Sequence, residues 1–355
     1  MRIVVICILF DAFDSGFCAS SCLAPHRHAA RSRPESAHLI FWELVLKIGI
    51  LGAGALGCAM GGVLTEAGHD VWLINRNTAQ IEVMRRDGLR LRTGGVDRTV
   101  AVQAVTTAQQ VTGGAVDLVI VLVKSFHTAE AMQAATCLLG PQTVVLSLQN
   151  GLGHEEILAA IVGRERLLAG KTYVGGSPLA PGHVIAGTRN KLTVIGKPDG
   201  GVSARAQRVA EVFNGAGLDT SVSRNITGVI WDKLLVNVAT GALSAITRLP
   251  YGPLYQSPEL QATATAAVAE AMAVAKASGI RLSITDPTEP WRLAGAGLPP
   301  EFKPSMLQSL EKGSITEIDF INGAIVREGE KFGVPTPVNR TLVACIKGLE
   351  RGLPG

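Results

Sequence analysis

Lys47-Ile-Gly-Ile-Leu-Gly-Ala-Gly-Ala-Leu-Gly57 is the stretch that decides how the rest of this chain is read. A short apolar run leads into Gly52-x-Gly54-x-x-Gly57, and the residues from Cys58 to Ala67 follow with helical spacing until Gly68 ends them. The pattern is strand, tight turn, helix. The first glycine permits the turn, the second lets the backbone approach a pyrophosphate, and the third allows close helix–strand packing, with the helix N-terminus turned toward the phosphates. A second apolar run, Asp70-Val-Trp-Leu-Ile-Asn75, falls in register behind it, the setting that separates a dinucleotide turn from an ordinary glycine-rich loop. Gly52, Ala53, Gly54, Ala55, Leu56 and Gly57 are therefore candidate cofactor-binding residues.

Sites that prefer NAD usually carry an Asp or Glu at the end of the second strand, about 20 residues past the glycines, to hold both ribose hydroxyls. Here Asn75-Arg76-Asn77 stands in that place. A guanidinium there would pair with a 2′-phosphate and no carboxylate beside it in the sequence would oppose the pairing, so Arg76 points to NADPH. The same residue also suits a solvated turn.

Moving outward, Asp117-Leu-Val-Ile-Val-Leu-Val123 and Thr143-Val-Val-Leu-Ser-Leu148 have the length and composition of parallel strands buried on both faces. Polar residues follow each of them. Lys124-Ser125 and Gln149-Asn150-Gly151 then fall at the carboxyl edge of the sheet, where open α/β folds bind ligands. Lys124 and Asn150 become candidates for cofactor and substrate contacts, although loops and helix caps use the same residue types.

A last strand-like run (Lys191 to Ile195), a Pro198-Asp-Gly-Gly201 turn and one more βα unit lead to Asn225, after which the spacing is helical. This divides the chain into a cofactor-binding domain, 47–223, and a helical catalytic domain, 224–355. In Ile230-Trp-Asp-Lys-Leu-Leu-Val-Asn-Val-Ala239, Lys233 and Asn237 are one turn apart on one face of an otherwise apolar helix. A partly desolvated amine has its pKa lowered toward the range useful for giving up a proton, and the amide beside it could hold a carbonyl or carboxylate. A lysine snorkelling to the surface next to an ordinary helical asparagine has the same spacing. Ser305, after Pro304, and Ser314 with Glu317 at capping-box spacing read as helix starts.

The bulk composition agrees with an α/β protein of two domains. Across 355 residues, 47% are hydrophobic and 17% charged, enough for two cores without disulfides or metals. The formal charge of +4 comes without the basic, aromatic-studded runs of nucleic-acid surfaces, so no nucleic-acid partner is expected. No apolar run approaches the ~20 residues of a membrane span, and a cytoplasmic location is expected. Three of the six cysteines (Cys7, Cys18, Cys22) lie near the N-terminus and the others (Cys58, Cys137, Cys345) are scattered, which is no disulfide framework. Cys18, Cys22, His26 and His28 fit no common zinc spacing, so no metal is expected. Residues 1–46 differ from the rest. Their apolar run, Ile3 to Phe10, is followed by Asp11 and Asp14, which argue against a signal peptide. A disordered extension or an upstream mis-assigned start is the expectation.

Taken in order, Gly-Ala-Gly-Ala-Leu-Gly57, Val-Lys124-Ser, Leu-Gln-Asn150-Gly, Trp-Asp-Lys233-Leu-Leu-Val-Asn237, Ser305-Met-Leu-Gln and Thr-Glu317-Ile-Asp-Phe-Ile-Asn-Gly323 resemble the ketopantoate reductase (2-dehydropantoate 2-reductase) family, from Lys47 to nearly the end of the chain. The resemblance implies an N-terminal Rossmann doubly wound parallel sheet, a second all-helical domain, NADPH as cofactor and a small 2-oxo acid as substrate. It also implies roles. Lys233 would be the proton donor, Asn237 and Ser305 would bind substrate, and Asn150 would bridge cofactor and substrate. Glu317 would stand on the cofactor side and Arg76 would read the 2′-phosphate. Two substrate-binding asparagines of the family are replaced here by Gly241 and Tyr251, so a reductase of another 2-oxo acid is the alternative, with a non-catalytic NADP-binding sensor more remote. The Ala-rich helix from Glu259 to Ser278 could pack within the helical domain or join a homodimer.

Overall fold

β1 (Lys47–Leu51) is buried along its length, and the reason is its place in the sheet. In the computed structural model, which describes residues 45–353, it pairs in parallel with β2 (Asp70–Ile74) on one side. On its other side it pairs in parallel with β6 (Val116–Val121). Ile48 and Ile50 are fully buried as a result. The expectations about the N-terminal extension, including Cys18, Cys22, His26 and His28, lie outside the described residues.

Between β2 and β6 come β3 (Leu89–Thr93), β4 (Val96–Val100) and β5 (Gln103–Val105); after β6 come β7 (Leu139–Ser147), β8 (Leu167–Thr172), β9 (Gly175–Ala180), β10 (His183–Gly187), β11 (Thr193–Gly196) and β12 (Thr220–Val222). The main sheet has eight strands in the order β12-β11-β8-β7-β6-β1-β2-β5. Strand order reverses at β1, the point where such sheets bind ligands. The sheet is parallel except where β11 runs antiparallel to β8. A second, four-stranded sheet, β4-β3-β10-β9, is absent from the sequence reading. Its strands are hard to see: Leu89-Arg-Leu-Arg-Thr93 alternates but carries two arginines, and Gly-Gly-Ser-Pro-Leu-Ala180 contains a proline that only an edge strand tolerates.

α1 (Ala55–Glu66) lies between the two sheets, and two adjacent glycines make this fit. A Cβ at Gly61 would run into Leu73 and Ile50 of the main sheet, while one at Gly62 would press on Leu91 and Leu89 of the small sheet. α2 (Thr78–Asp87), α3 (Thr128–Ala134), α4 (His154–Val162) and α5 (Ala204–Gly215) complete this half.

From Ile226 onward the described chain is helical. α6 (Ile226–Thr247) is the axis, with α7 (Tyr251–Leu254), α8 (Pro258–Ala277), α9 (Glu289–Gly295), α10 (Ser305–Glu311), α11 (Asn322–Phe332) and α12 (Pro337–Arg351) following it. Ala264, Ala267, Ala271 and Ala275 of α8 are fully buried within this helical core, so the inward face of the Ala-rich helix belongs to its own chain. At 22 residues α6 is long and apolar enough to cross a bilayer, a length that the sequence reading did not anticipate, but 67% of its apolar window is buried in the protein. The sheet-bearing and helical parts form one compact unit.

Asp232, inside the Trp-Asp-Lys motif, belongs to that architecture. Its carboxylate accepts hydrogen bonds from Ser283 N (3.1 Å), Ser283 Oγ (2.7 Å) and Ile284 N (3.2 Å), tying α6 to the loop after α8. Removing it leaves the buried Ile284 N–H and the partly buried Ser283 N–H without this acceptor. Asp232→Ala is expected to lose about 2–3 kcal/mol of stability in urea denaturation, and a midpoint equal to that of the unmodified protein would refute this role.

Candidate active site

A cleft of about 870 Å³ opens at the carboxyl ends of β1, β2, β6 and β7. Gly175, Gly176 and Ser177 of β9 with Ile185 and Gly187 of β10 form one wall, so the small sheet has a functional position as well as a packing one. Among the residues predicted from sequence, Gly52, Gly54, Ala55, Leu56, Gly57, Arg76, Lys124, Asn150, Ser305 and Glu317 all line this cleft.

The glycine turn is built as its spacing suggests. Gly52 has φ +99°, and a Cβ there would overlap the backbone of Leu122 and Val123. Gly57 approaches the Gly52 carbonyl so closely that a Cβ would collide with it. Gly54 is different: a Cβ there would meet nothing within 4 Å, and the helix start it caps receives no side-chain hydrogen bond. Such a start can accept a phosphate, since α1 leaves its first N–H groups without protein side-chain acceptors. Ala53 is the exception among the predicted turn residues. It is fully buried outside the cleft lining, and its carbonyl accepts from Asn75 Nδ2 and Gln80 Nε2, both at 2.7 Å. Asn75 is occupied at its other end too, accepting from Asn77 N at 3.0 Å.

Arg76 reaches the cleft from the end of β2, where its Nη1 lies 3.2 Å from Glu130 Oε1 on α3. Both side chains are about two-thirds exposed, at 65% and 66%. Such a pair is weak in water, and a dianionic phosphate would displace it.

Glu317 does not cap a helix. No helix begins at Ser314; a short 3-10 turn, Ile318–Phe320, follows Glu317 instead, and α11 starts at Asn322. The carboxylate crosses to the other half of the molecule, accepting from Ser125 Oγ at 2.6 Å and Ser125 N at 3.1 Å. Lys124 Nζ stands 3.4 Å from its other oxygen. Ser125 is a site-organising residue that spacing did not single out, because its partner is 192 residues away. The next turn of chain reinforces the contact. Leu152 N donates to the Phe320 carbonyl at 2.9 Å, a Cβ at Gly151 would collide with the same carbonyl, and His154 stacks on the Phe320 ring at 5.1 Å. Burial pushes the His154 imidazole down to about 4, so it packs as a neutral ring near pH 7. Ser305 is the first residue of α10, with Pro304 in the cap position, and its side chain makes no capping bond.

Lys233 is half-buried on α6 and donates from Nζ to the Thr172 carbonyl at 2.8 Å. Burial, helped by the Lys171 ammonium and opposed by Glu317, lowers its pKa to about 8. Spacing alone left a snorkelling surface lysine open; the hydrogen bond to the Thr172 carbonyl and the partial burial favour an amine held against the protein. Asn237 is half-buried one turn along, and its amide makes no hydrogen bond among the described residues. Neither Lys233 nor Asn237 belongs to the cleft wall, which reaches the neighbouring chain at Val174. The replaced family positions are packing residues: Gly241 faces Met306 of α10, and Tyr251 is buried with its hydroxyl 3.1 Å from Thr240 Oγ1 and its ring against Phe302.

A doubly wound sheet with a glycine turn at its switch point, joined to a helical half that carries a partly buried lysine, fits the class of NAD(P)H-dependent oxidoreductases. Residues 48–200 match the family described as Ketopantoate reductase PanE/ApbA and residues 225–350 its C-terminal part. The chain is 36% identical to the 2-dehydropantoate 2-reductase of Archaeoglobus fulgidus over 310 residues, covering 87% of this chain and 99% of that one. It is also 36% identical to the enzyme of that name from Pyrococcus horikoshii over 307 residues, with coverages of 86% and 98%. Among solved structures, a PanE/ApbA family ketopantoate reductase from Ralstonia eutropha JMP134 superimposes with a TM-score of 0.79 at 36% identity, covering 87% of this chain and 99% of that one. A D-mandelate dehydrogenase with NADH and anilino(oxo)acetate gives a TM-score of 0.80 at 30% identity, with the same coverages. The chain belongs to the ketopantoate reductase family.

Proposed function

We propose that this protein reduces ketopantoate to pantoate with NADPH, in the cytoplasm, with Lys233 as the proton donor. The observation that carries the reading is Lys233 itself, an amine with a pKa lowered to about 8 that holds the Thr172 carbonyl, two residues before the chain enters the cleft wall at Val174.

The cradle at Gly54 and the uncapped start of α1 fit a pyrophosphate. Arg76 would take the 2′-phosphate, and Lys124, Asn150 and Glu317 would hold the nicotinamide end. NADPH supplies the hydride. Lys233 does the rest of the chemistry: below its pKa the ammonium stabilises negative charge growing on the carbonyl oxygen and passes that oxygen a proton from Nζ. To do so it exchanges the Thr172 carbonyl for the substrate. Asn237 and Ser305 would orient the acid, and Glu317 fixes the 124–125 edge against the helical half, which keeps donor and hydride acceptor in register.

Initial rates of NADPH oxidation with a panel of 2-oxo acids test the reading, and ketopantoate should give the highest kcat/KM. A different acid in first place would favour the second reading, a same-fold reductase of another 2-oxo acid, which the packing roles of Gly241 and Tyr251 support. Activity with none of them would leave a cofactor-binding sensor. For the cofactor, Arg76→Ala should raise the KM for NADPH by about 10- to 100-fold through loss of a charge-assisted contact, and change the KM for NADH by less than about threefold. Equal effects on both cofactors would remove Arg76 as the 2′-phosphate reader.

A further inference from the structure

β8 ends in Lys171-Thr172, and the chain runs on through Tyr173 into the cleft wall at Val174. Strand alternation turns Thr172 to the core, where its Oγ1 meets Thr193 Oγ1 at 2.8 Å, and leaves Lys171 and Tyr173 on the opposite face. There the two form a unit. Lys171 Nζ donates to the Tyr173 hydroxyl at 3.1 Å and lies 4.9 Å from the centre of its ring. Lys233 Nζ approaches the same ring to 5.8 Å while holding the Thr172 carbonyl. Two ammonium groups thus stand near the ring of Tyr173, a residue 49% exposed, and among the described residues neither has a carboxylate within ion-pair distance.

Like charges gathered around one ring repel each other until an anion joins them. A 2-oxo acid supplies that anion, but it also creates a conflict. Its carboxylate is a stronger partner for an ammonium than its ketone is. Asn237 and Ser305 offer only neutral donors, so with a single lysine the carboxylate would draw the proton donor away from the ketone. A second cation resolves this.

We propose that Lys171, steadied by Tyr173, receives the carboxylate of the 2-oxo acid and so leaves Lys233 free for the adjacent ketone oxygen. The assignment rests on the reductase reading above and gives Lys171 and Tyr173 a part in selecting acids over simple ketones. Tyr173 contributes a ring face to which the ammonium binds and a hydroxyl that aims it.

Steady-state kinetics of the unmodified protein, Lys171→Met and Lys171→Arg with the best 2-oxo acid and NADPH at pH 7 provide the test. Lys171→Met should raise the KM for the acid by about 10- to 100-fold, with kcat and the KM for NADPH changed by less than about fivefold, as loss of a charged contact to substrate requires. Lys171→Arg, which keeps the charge, should recover most of the affinity. An acid KM within about threefold of the original, a rise shared equally by NADPH, or a loss confined to kcat would each overturn the proposal and leave the reductase reading in place. An unmodified protein that reduces no 2-oxo acid would overturn both.

Discussion

Lys233→Ala is expected to lower kcat for the 2-oxo acid by about 10³-fold with little change in the KM for NADPH, because a positioned general acid contributes roughly 10²–10⁴ to such a step. The cofactor cradle is formed by the other half of the molecule and does not depend on this side chain. The sign of the pH dependence follows from the same group. Its pKa of about 8 leaves it mostly protonated at pH 7, so kcat/KM should hold below that value and fall as pH rises through it, when the donor loses its proton. Lys233→Ala should lack this alkaline fall. A variant that keeps more than about a tenth of the activity would sink the proton-donor role.

Glu317→Ala should have the second largest effect, a fall in kcat of about 100-fold, the scale of a displacement of about 1 Å between reacting groups. The carboxylate joins the two halves of the site through Ser125 N, Ser125 Oγ and Lys124 Nζ. Alanine leaves the Ser125 N–H without its acceptor, which should also cost about 1–3 kcal/mol in denaturant titrations. Glu317→Gln separates geometry from charge. Its amide oxygen can still accept from Ser125 while the attraction for Lys124 is gone, so its kcat should lie between those of the alanine variant and the unmodified protein. Rates for Glu317→Ala within threefold of the original would show that the 125–317 contact does not position the site.

At this edge the two halves meet through short polar and aromatic contacts as well as through Leu152, which packs on the helical core. Ser125 with Glu317, Leu152 with the Phe320 carbonyl and His154 with the Phe320 ring all lie within one run of four residues, 317–320. That run is where the helical half is keyed to the carboxyl edge of the sheet. The Thr-Glu-Ile-Asp-Phe stretch forms no α-helix, although the spacing of Ser314 and Glu317 reads as a helix start. Its side chains serve a distant partner, and its backbone makes only a 3-10 turn before α11.

What the sequence determined by itself was local. The turn from Gly52 to Gly57 was legible because steric exclusion of a Cβ and the strand-to-helix change act over about ten residues, the range in which spacing encodes geometry. The α6 face bearing Lys233 and Asn237 was legible for the same reason, since a helix repeats every 3.6 residues. Everything that needed a partner from elsewhere was decided by the tertiary structure. Capping-box spacing placed Glu317 on Ser314, but the folded chain places it on Ser125, because a buried carboxylate is held by whichever donors the chain path brings within reach. The partial burial of Lys233 and its nearness to the Lys171 ammonium come from the fold, and neither is written in its i, i+4 spacing. The small sheet that walls the cleft was likewise settled by packing: its strands are too polar to declare themselves, and they become strands where α1 offers the glycine face at Gly62 for Leu89 and Leu91 to cover.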